Sequence, residues 1–242
     1  MLTFLRKIRR SLINTGSTRK YLLYALGEVL LVMVGILLAL QVNNWNEWRK
    51  DRIKEKEVLR DLQINLESNV QFLKENIDLF AFRSNSSRIV LNVMEKKLPY
   101  HDSLSTHFFH AARGFGGAEA LSFVGFEGLR NTGFDIITNK TLKNEILLLF
   151  ESTYPKFISV DNELDRNDVF ITEVLSDYFY PGMDVYVPFD YDELLTSRKT
   201  YSVFNQLDVN KRWMGNKYEE CLLETKRILQ LIKDELEDNN TE

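Results

Sequence analysis

Three histidines lie within ten residues of one another, and they are the side chains of this 242-residue sequence that come closest to a metal-binding pattern. His101, His107 and His110 are the only histidines in the chain. Because His107 and His110 are three residues apart, a helix would place both on one face, where Asp102 or Glu119 could complete a site for a metal ion. The spacing is not that of an HExxH motif. A metal-dependent hydrolase is therefore one hypothesis, and surface or structural histidines are the other.

A single carboxyl group, that of Glu28, lies in the most apolar stretch of the sequence. Residues 21–42 contain 18 apolar side chains, and the exceptions are Gly27, Glu28, Gly35 and Gln41. A charged carboxylate about 10 Å inside a bilayer costs about 2.5–3.5 kcal/mol. Glu28 is therefore expected to be neutral, to pair with a cationic group of another membrane protein, or to face a partner helix. A small subunit of an ion-coupled membrane complex is the functional reading, and a carboxyl group that reaches the interface or is enclosed in a homo-oligomer is the alternative.

The remaining reactive or contact-forming residues predict no catalytic set and no cofactor. Gly27, Gly35 and Ala39 lie near one helix face, and the small-x-x-x-small spacing from Gly35 to Ala39 favours helix association. Cys221 is the only cysteine, which excludes an intramolecular disulfide framework. We expect it to be buried, with an intermolecular disulfide as the alternative. The glycines of residues 114–117 lack the Gly-Lys-Ser/Thr ending of a phosphate-binding loop.

These residues are positioned by a predicted transmembrane helix, residues 21–43. At about 1.5 Å per residue the apolar run spans roughly 33 Å, enough to cross the hydrocarbon core of a bilayer. Aromatic side chains suited to the two interfaces flank it, namely Tyr21, Tyr24, Trp45 and Trp48. The run is longer than a signal-peptide core, and no small-x-small cleavage site follows it, so we predict an uncleaved signal anchor. A buried core helix is the alternative.

The charge distribution predicts the orientation of this anchor. Residues 1–20 carry six Lys and Arg side chains and no acid, whereas the rest of the chain holds 25 basic and 35 acidic side chains, a charge of −10. The positive-inside rule then favours a cytoplasmic tail, residues 1–20, and a periplasmic remainder in a Gram-negative cell. The tail is either a plain basic tail or a basic amphipathic helix on anionic lipid, with contacts from Arg6, Lys7, Arg9 and Arg10. The acidic remainder disfavours binding to nucleic acid.

Beyond the anchor the pattern predicts helices almost throughout. Residues 44–98 are expected to form a helical stalk that ends before Pro99, because apolar residues recur every three or four positions from Leu59 to Phe80. Residues 99–242 are expected to form a helical domain that packs on this stalk. Its predicted helices cover about residues 104–113, 122–131, 139–150, 156–180 and 210–237, with extended chain at 184–191. The two long amphipathic helices, at 44–98 and 210–237, are expected to pack antiparallel.

Two segments resemble a family of single-pass membrane proteins of unknown function that is common in Bacteroidota. The first is YLLYALGEVLLVMVGILLALQVNNWNE, residues 21–47, and the second is LSFVGFEGLRNTGFDIITNKTLK, residues 121–143. Within the second, residues 126–133 match the family pattern, although Gly128 is an unusual residue inside a helix. The resemblance implies a membrane anchor and a Gram-negative setting, and it supplies no catalytic residues.

The sequence therefore predicts an all-α protein, with one N-terminal transmembrane helix that continues into a helical stalk and a bundle-like domain. We expect it to lie in the inner membrane and to act without catalysis, in interaction, scaffolding or sensing at the cell envelope. Its expected partners are the lipid bilayer and either a second copy or another membrane protein. The alternatives are the metal-dependent hydrolase and the ion-coupled subunit.

Overall fold

The structure is a computed structural model that describes residues 18–114, 117–165 and 168–238. Within them the chain is almost entirely helical, which confirms the all-α prediction. The helices are α1 (Thr18–Lys96), α2 (Ser103–Ala112), α3 (Val124–Thr132), α4 (Lys140–Leu148), α5 (Tyr154–Asp165), α6 (Asp168–Ser176), α7 (Tyr191–Thr196) and α8 (Arg198–Asp238). Short 3₁₀ turns at Ala118–Ala120 and Phe134–Ile136 and a π-helical turn at Leu149–Thr153 connect some of them.

The chain divides into two compact units, residues up to Lys54 and residues from Glu55 onward. The predicted boundaries were a stalk at residues 44–98 and a helical domain at residues 99–242 that packs on it, whereas the boundary between the two compact units lies after Lys54. The reason is the burial of the seam of α1: Leu59, Leu62, Leu66 and Leu73 are completely buried. Residues 55–96 of α1 are therefore a central part of the core of the second unit.

Helix α8 packs antiparallel to residues 55–96 of α1. Three contacts spaced along the pair join Glu67 to Lys233 (2.8 Å), the ring of Phe80 to that of Tyr218 (centroids 4.9 Å apart) and Glu95 to Tyr201 (2.6 Å). The residue number rises along α1 while it falls along α8, which defines the antiparallel direction. Helix α8 begins 12 residues before the predicted start at residue 210, so the paired region is longer than the seam alone indicates.

The region between α5 and α7 differs from the prediction of one helix over residues 156–180. Helix α6 ends at Ser176, and the chain forms a two-stranded antiparallel hairpin, β1 (Phe179–Pro181) with β2 (Tyr186–Pro188). The side chain of Phe179 is buried in the core, and the centroid of its ring lies 5.0 Å from that of Phe108 on α2. We attribute the extended backbone at this position to that contact. This tertiary contact overrides the local helical pattern.

Proline accounts for the π-helical turn between α4 and α5. Pro155 has no amide hydrogen, and in a regular α-helix its ring would clash with the carbonyl group four residues earlier, that of Glu151. The wider turn at Leu149–Thr153 lies directly before Pro155 and lets the helical path continue into α5. The sequence predicted separate helices on either side of Pro155, and the structure joins them.

Two asparagines of α1 hold the start of α3. The Asn65 amide donates to the carbonyl oxygen of Ser122 (2.8 Å), and its own oxygen accepts from the backbone N–H of Gly125 (3.0 Å). Asn69 binds both backbone groups of Ser122, accepting from its N–H (2.8 Å) and donating to its carbonyl oxygen (2.9 Å). The bond to Gly125 satisfies an N–H group that the first turn of α3 leaves without a helical partner. Together with the three bonds to Ser122, it fixes the start of α3 against α1.

Glycine at position 125 is required by this close approach of α3 to α1. A Cβ atom there would lie 2.7 Å from the backbone oxygen of Asp61. We expect Gly125→Ala to lower the free energy of unfolding by about 1–3 kcal/mol, because the two backbones would have to separate. Chemical denaturation of the full chain measures the change.

Gly128 supplies the matched control on the same helix. A Cβ atom at Gly128 has no heavy atom within 4 Å. Gly128→Ala should therefore be neutral or stabilise the protein by up to about 1 kcal/mol through helix propensity. Equal effects of the two substitutions would contradict the assignment of Gly125 to a packing role.

Candidate functional site

The first candidate site is the apolar segment of α1, residues 21–43. It is an exposed surface and not a pocket. Its most apolar 18-residue window has a mean hydropathy of 2.3, and none of that window is buried. Gly35 and Ala39 are exposed, and a Cβ atom at Gly27 or Gly35 would meet nothing within 4 Å. The small residues thus lie on an open face of the helix, and helix association through them stays a prediction.

The other predicted residues of this segment lie on the same helix. Glu28 is half-buried, and its role in ion coupling stays a prediction. Trp45 and Trp48 are exposed, and the guanidinium carbon of Arg52 lies 5.8 Å from the ring of Trp48. Tyr21 and Tyr24 belong to α1, but their side chains are outside what the structure describes, as are the lipid-contacting residues predicted at Arg6, Lys7, Arg9 and Arg10.

The three histidines face different partners. His101 is exposed and its Nδ1 lies 2.9 Å from the hydroxyl oxygen of Ser103, whereas Nδ1 of His107 lies 3.2 Å from that of Ser86. The ring of His110 packs edge-on against Phe82, with centroids 4.7 Å apart. Among residues 18–114, 117–165 and 168–238, no group of three His, Cys, Asp or Glu side chains could hold a metal ion. The metal site predicted at His101, His107 and His110 is therefore not formed there, because each side chain is committed to a local contact.

The surroundings of His110 oppose a positive charge on its ring. Partial burial lowers the pKa of His110 first, and the nearby Arg83 and His107 lower it further, while Asp184 acts in the opposite direction. The edge-on contact of the His110 ring with Phe82 supports the structural interpretation of this residue.

A buried polar network between α1 and α8 is the feature that the sequence did not predict. Asp208 of α8 is buried, and one of its oxygens accepts from the hydroxyl of Ser84 on α1 (2.6 Å). Its other oxygen accepts from Nε and Nη2 of Arg212, both at 3.1 Å. Both carboxylate oxygens are thus bound, which offsets the cost of burying the charge.

Lys211 is the second charged member of this network and is completely buried. Its ammonium group donates to the hydroxyl oxygen of Ser87 (3.1 Å) and to the carbonyl oxygen of Ala111 on α2. The Ser87 hydroxyl donates in turn to the carbonyl oxygen of Arg83 (3.1 Å). Through these bonds Lys211 links α8 to Ser87 on α1 and to Ala111 on α2.

A cleft of about 480 Å³ opens over this network, between one face of α1 and one face of α8. The buried residues of its lining include Phe80, Ser84 and Lys211. Polar and charged side chains of both helices form the rest of the wall, namely Asn85, Arg88, Arg212, Asn216 and Glu219. The volume is within the range of small-molecule sites.

Cys221 is not a reactive thiol. It is buried, as the sequence predicted, and burial raises the pKa of its thiol to about 12. The thiolate is the nucleophilic form of cysteine, so this thiol is almost entirely in its unreactive form at neutral pH. Its burial in the core also disfavours the alternative of an intermolecular disulfide.

Comparison of this chain with known protein families, curated proteins and solved structures finds no match. The fold and the sites define its class: a helical protein in which, among the residues that the structure describes, one helix near the N-terminus is long and apolar enough to cross a membrane. The second unit carries a buried polar network and a polar cleft.

Proposed function

We propose that this protein is anchored in the inner membrane by residues 21–43 and that its helical unit acts without catalysis, as an interaction, scaffold or sensor module of the cell envelope. The observation that carries the proposal is the complete exposure of the apolar window of α1. An exposed apolar surface of this length is unfavourable in water, and a bilayer covers it without any partner protein. The basic first twenty residues favour a cytoplasmic N-terminus and a periplasmic helical unit.

Two further observations support the proposal. The resemblance of residues 21–47 to a family of single-pass membrane proteins favours an anchor over a soluble core helix. The reactive groups of the helical unit are engaged in its packing: Lys211 and Ser87 bind each other and backbone oxygens, and Cys221 is buried. Because these side chains hold helices together, they favour a binding or structural role of the protein over a catalytic role.

Membrane integration and orientation can be tested together on the full chain. In a Cys221→Ser background, single cysteines at Ser11 and at Lys226, which is exposed on α8, report the two sides of the membrane. We expect the chain to resist extraction by alkaline carbonate. A membrane-impermeant maleimide should label the Lys226→Cys chain in cells with a permeabilised outer membrane, and the Ser11→Cys chain only after lysis. Release by carbonate would contradict the proposed membrane anchor. The reverse labelling pattern would contradict the proposed orientation.

The interaction role has its own test. Chemical crosslinking in intact cells, followed by purification of the chain, should recover a second copy or another envelope protein in a reproducible complex. Recovery of the monomer alone across several crosslinker lengths would count against interaction and scaffolding.

A further inference from the structure

The hairpin formed by β1 and β2 carries apolar side chains on both of its faces. Its register pairs Tyr180 with Val187, and strand alternation places these two side chains on the face opposite to that of Phe179. Phe179 is buried, and the centroid of the neighbouring Tyr186 ring lies 5.6 Å from that of Phe109 on α2. The face of Phe179 and Tyr186 is therefore the inner face, which packs on the core.

The outer face of the hairpin is apolar, although the solvated face of a hairpin is usually polar. An antiparallel sheet with one face on the core normally alternates apolar inward residues with polar outward residues. Here Tyr180, Val187 and Phe189 are exposed at 62%, 42% and 47%, and the ring centroids of Tyr180 and Phe189 lie 4.0 Å apart. Val185 and Met183, at the turn, are exposed as well. These five residues form the outer hairpin face, and an exposed apolar patch of this kind marks an interaction site.

Acidic side chains flank the outer hairpin face. Residues 177–197, which contain the hairpin and α7, hold five acidic and no basic side chains. Two of the five are engaged within the fold. Asp177 pairs with Lys199 (3.5 Å), and Asp190 caps α7 by accepting from the backbone N–H of Glu193 (3.0 Å). The other three carboxylates are exposed and form no ion pair with any residue that the structure describes, namely those of Asp184, Asp192 and Glu193.

The basic groups near the hairpin do not neutralise these three carboxylates. The guanidinium carbon of Arg113 lies 4.7 Å from the ring centroid of Phe109, on the side of the inner face. His110 interacts with Asp184, but partial burial lowers the pKa of its ring, so it carries little positive charge at neutral pH. Even with Arg198 at the start of α8 counted, the three carboxylates leave an excess of negative charge.

Apolar surface and negative charge together select one kind of occupant. A second copy of the chain would bring the same carboxylates to a two-fold contact, and anionic lipid would bring phosphate groups, so like charges would meet in both cases. Addition of a third strand is also disfavoured, because Pro181 and Pro188 lack the amide hydrogen that a paired strand uses.

We propose that the outer hairpin face binds a segment of another protein in which apolar side chains are flanked by lysine or arginine. The apolar side chains of that segment cover Tyr180, Val187 and Phe189, and its basic side chains pair with the three exposed carboxylates at the rim. The proposal rests on the interaction role proposed above and specifies the surface and the class of partner for it.

Photo-crosslinking of the full chain in intact cells tests this proposal. Benzoylphenylalanine replaces Met183 at the turn, and in a control chain it replaces Leu223, an exposed apolar residue of α8. We expect an adduct from position 183 that position 223 does not give. Mass spectrometry of this adduct should identify a segment of another protein with net positive charge and apolar side chains. The same adduct from both positions, an adduct with a second copy, with lipid or with a segment without net positive charge, or no adduct from position 183 would overturn the proposal.

Charge reversal tests the acidic rim. At equal amounts of chain in the membrane fraction, Asp184→Lys with Asp192→Lys should reduce the yield of the adduct at least about tenfold, because like charges then meet at the contact. Asp61→Lys with Asp78→Lys makes the same charge change at exposed positions of α1 and should leave the yield unchanged.

A second pair of variants tests the apolar side chains without changing the charge. Val185→Thr with Val187→Thr keeps strand-forming side chains and should reduce the yield about tenfold, because each substitution replaces a methyl group of the contact by a hydroxyl group. Val124→Thr with Val209→Thr changes two exposed valines outside the hairpin and is the control. An unchanged yield in either hairpin variant, or an equal loss in its control, would overturn the proposal.

Failure of this proposal is distinguishable from failure of the interaction role itself. A reproducible complex after chemical crosslinking of the full chain, without an adduct from position 183, would keep the interaction role and overturn only its assignment to the hairpin. Recovery of the monomer alone in both experiments would contradict both proposals.

Discussion

Replacement of Tyr154 by alanine is expected to lower the free energy of unfolding by about 3–5 kcal/mol, the range for loss of a large aromatic side chain from a core. Tyr154 is completely buried, and its ring packs edge-on against Phe150, with centroids 5.2 Å apart. Its hydroxyl group lies 3.0 Å from that of Thr225 on α8 and accepts from the amide of Asn69 on α1 at 3.4 Å. One side chain of α5 thus joins the two long helices, and chemical denaturation of the full chain measures its contribution.

Tyr154→Phe separates the ring from the hydroxyl group. Burial raises the pKa of Tyr154, so the hydroxyl is neutral at physiological pH and acts only through hydrogen bonds. Thr225 also donates to the carbonyl oxygen of Cys221, and Asn69 keeps both bonds to Ser122. The phenylalanine variant should therefore lose only about 1 kcal/mol. A loss as large as that of the alanine variant would mean that the polar contacts, rather than ring packing, dominate at this position.

Two arginines in the apolar segment of α1 are expected to abolish stable membrane integration. Leu31 and Val34 are both exposed and lie near the middle of residues 21–43. An arginine at the centre of a transmembrane helix costs about 2.5–3.5 kcal/mol on insertion scales, so Leu31→Arg with Val34→Arg costs about 5–7 kcal/mol. The doubly substituted chain should leave the carbonate-resistant membrane fraction or be degraded, as judged by fractionation and immunoblotting.

The control places the same new charges on other exposed apolar positions. Ile64 on α1 and Leu223 on α8 are exposed to a similar degree as the two residues above, at 66% and 68%. Ile64→Arg with Leu223→Arg should leave the chain in the membrane fraction, because these positions belong to the unit that begins at Glu55. Retention of the Leu31→Arg, Val34→Arg chain in carbonate-washed membranes would contradict the assignment of residues 21–43 as the anchor.

The sequence predicts the positions of helices where the signal for them lies in neighbouring residues. The three- and four-residue spacing from Leu59 to Phe80 predicts a helix with one buried seam, and these residues do form the core side of α1. Asn139 begins the predicted helix at residues 139–150, and it caps α4, because its side chain accepts from the backbone N–H groups of Thr141 and Leu142. Apolar periodicity and capping act within a few residues, so a single sequence displays them.

The hairpin and the serines of α1 show where local patterns fail. Residues 177–180 contain no glycine or proline, so nothing local distinguishes the start of β1 from a further turn of helix; the contact of Phe179 with Phe108 decides it. Helix α1 continues through the polar residues Asn85, Ser86 and Ser87 to Lys96. Their neighbour Ser84 and Ser87 itself bind Asp208 and Lys211, more than 100 residues away in the sequence.

The sequence by itself determined the helical class, the membrane-length apolar segment and the two long amphipathic helices, because hydrophobic periodicity and charge are properties of neighbouring residues. Only the tertiary structure decided which polar side chains meet. It separated the partners of His101, His107 and His110, and it brought α1 and α8 together around a cleft that no local motif marks. The physical reason is that a polar site is formed by groups distant in sequence, whose meeting depends on the packing of the whole core.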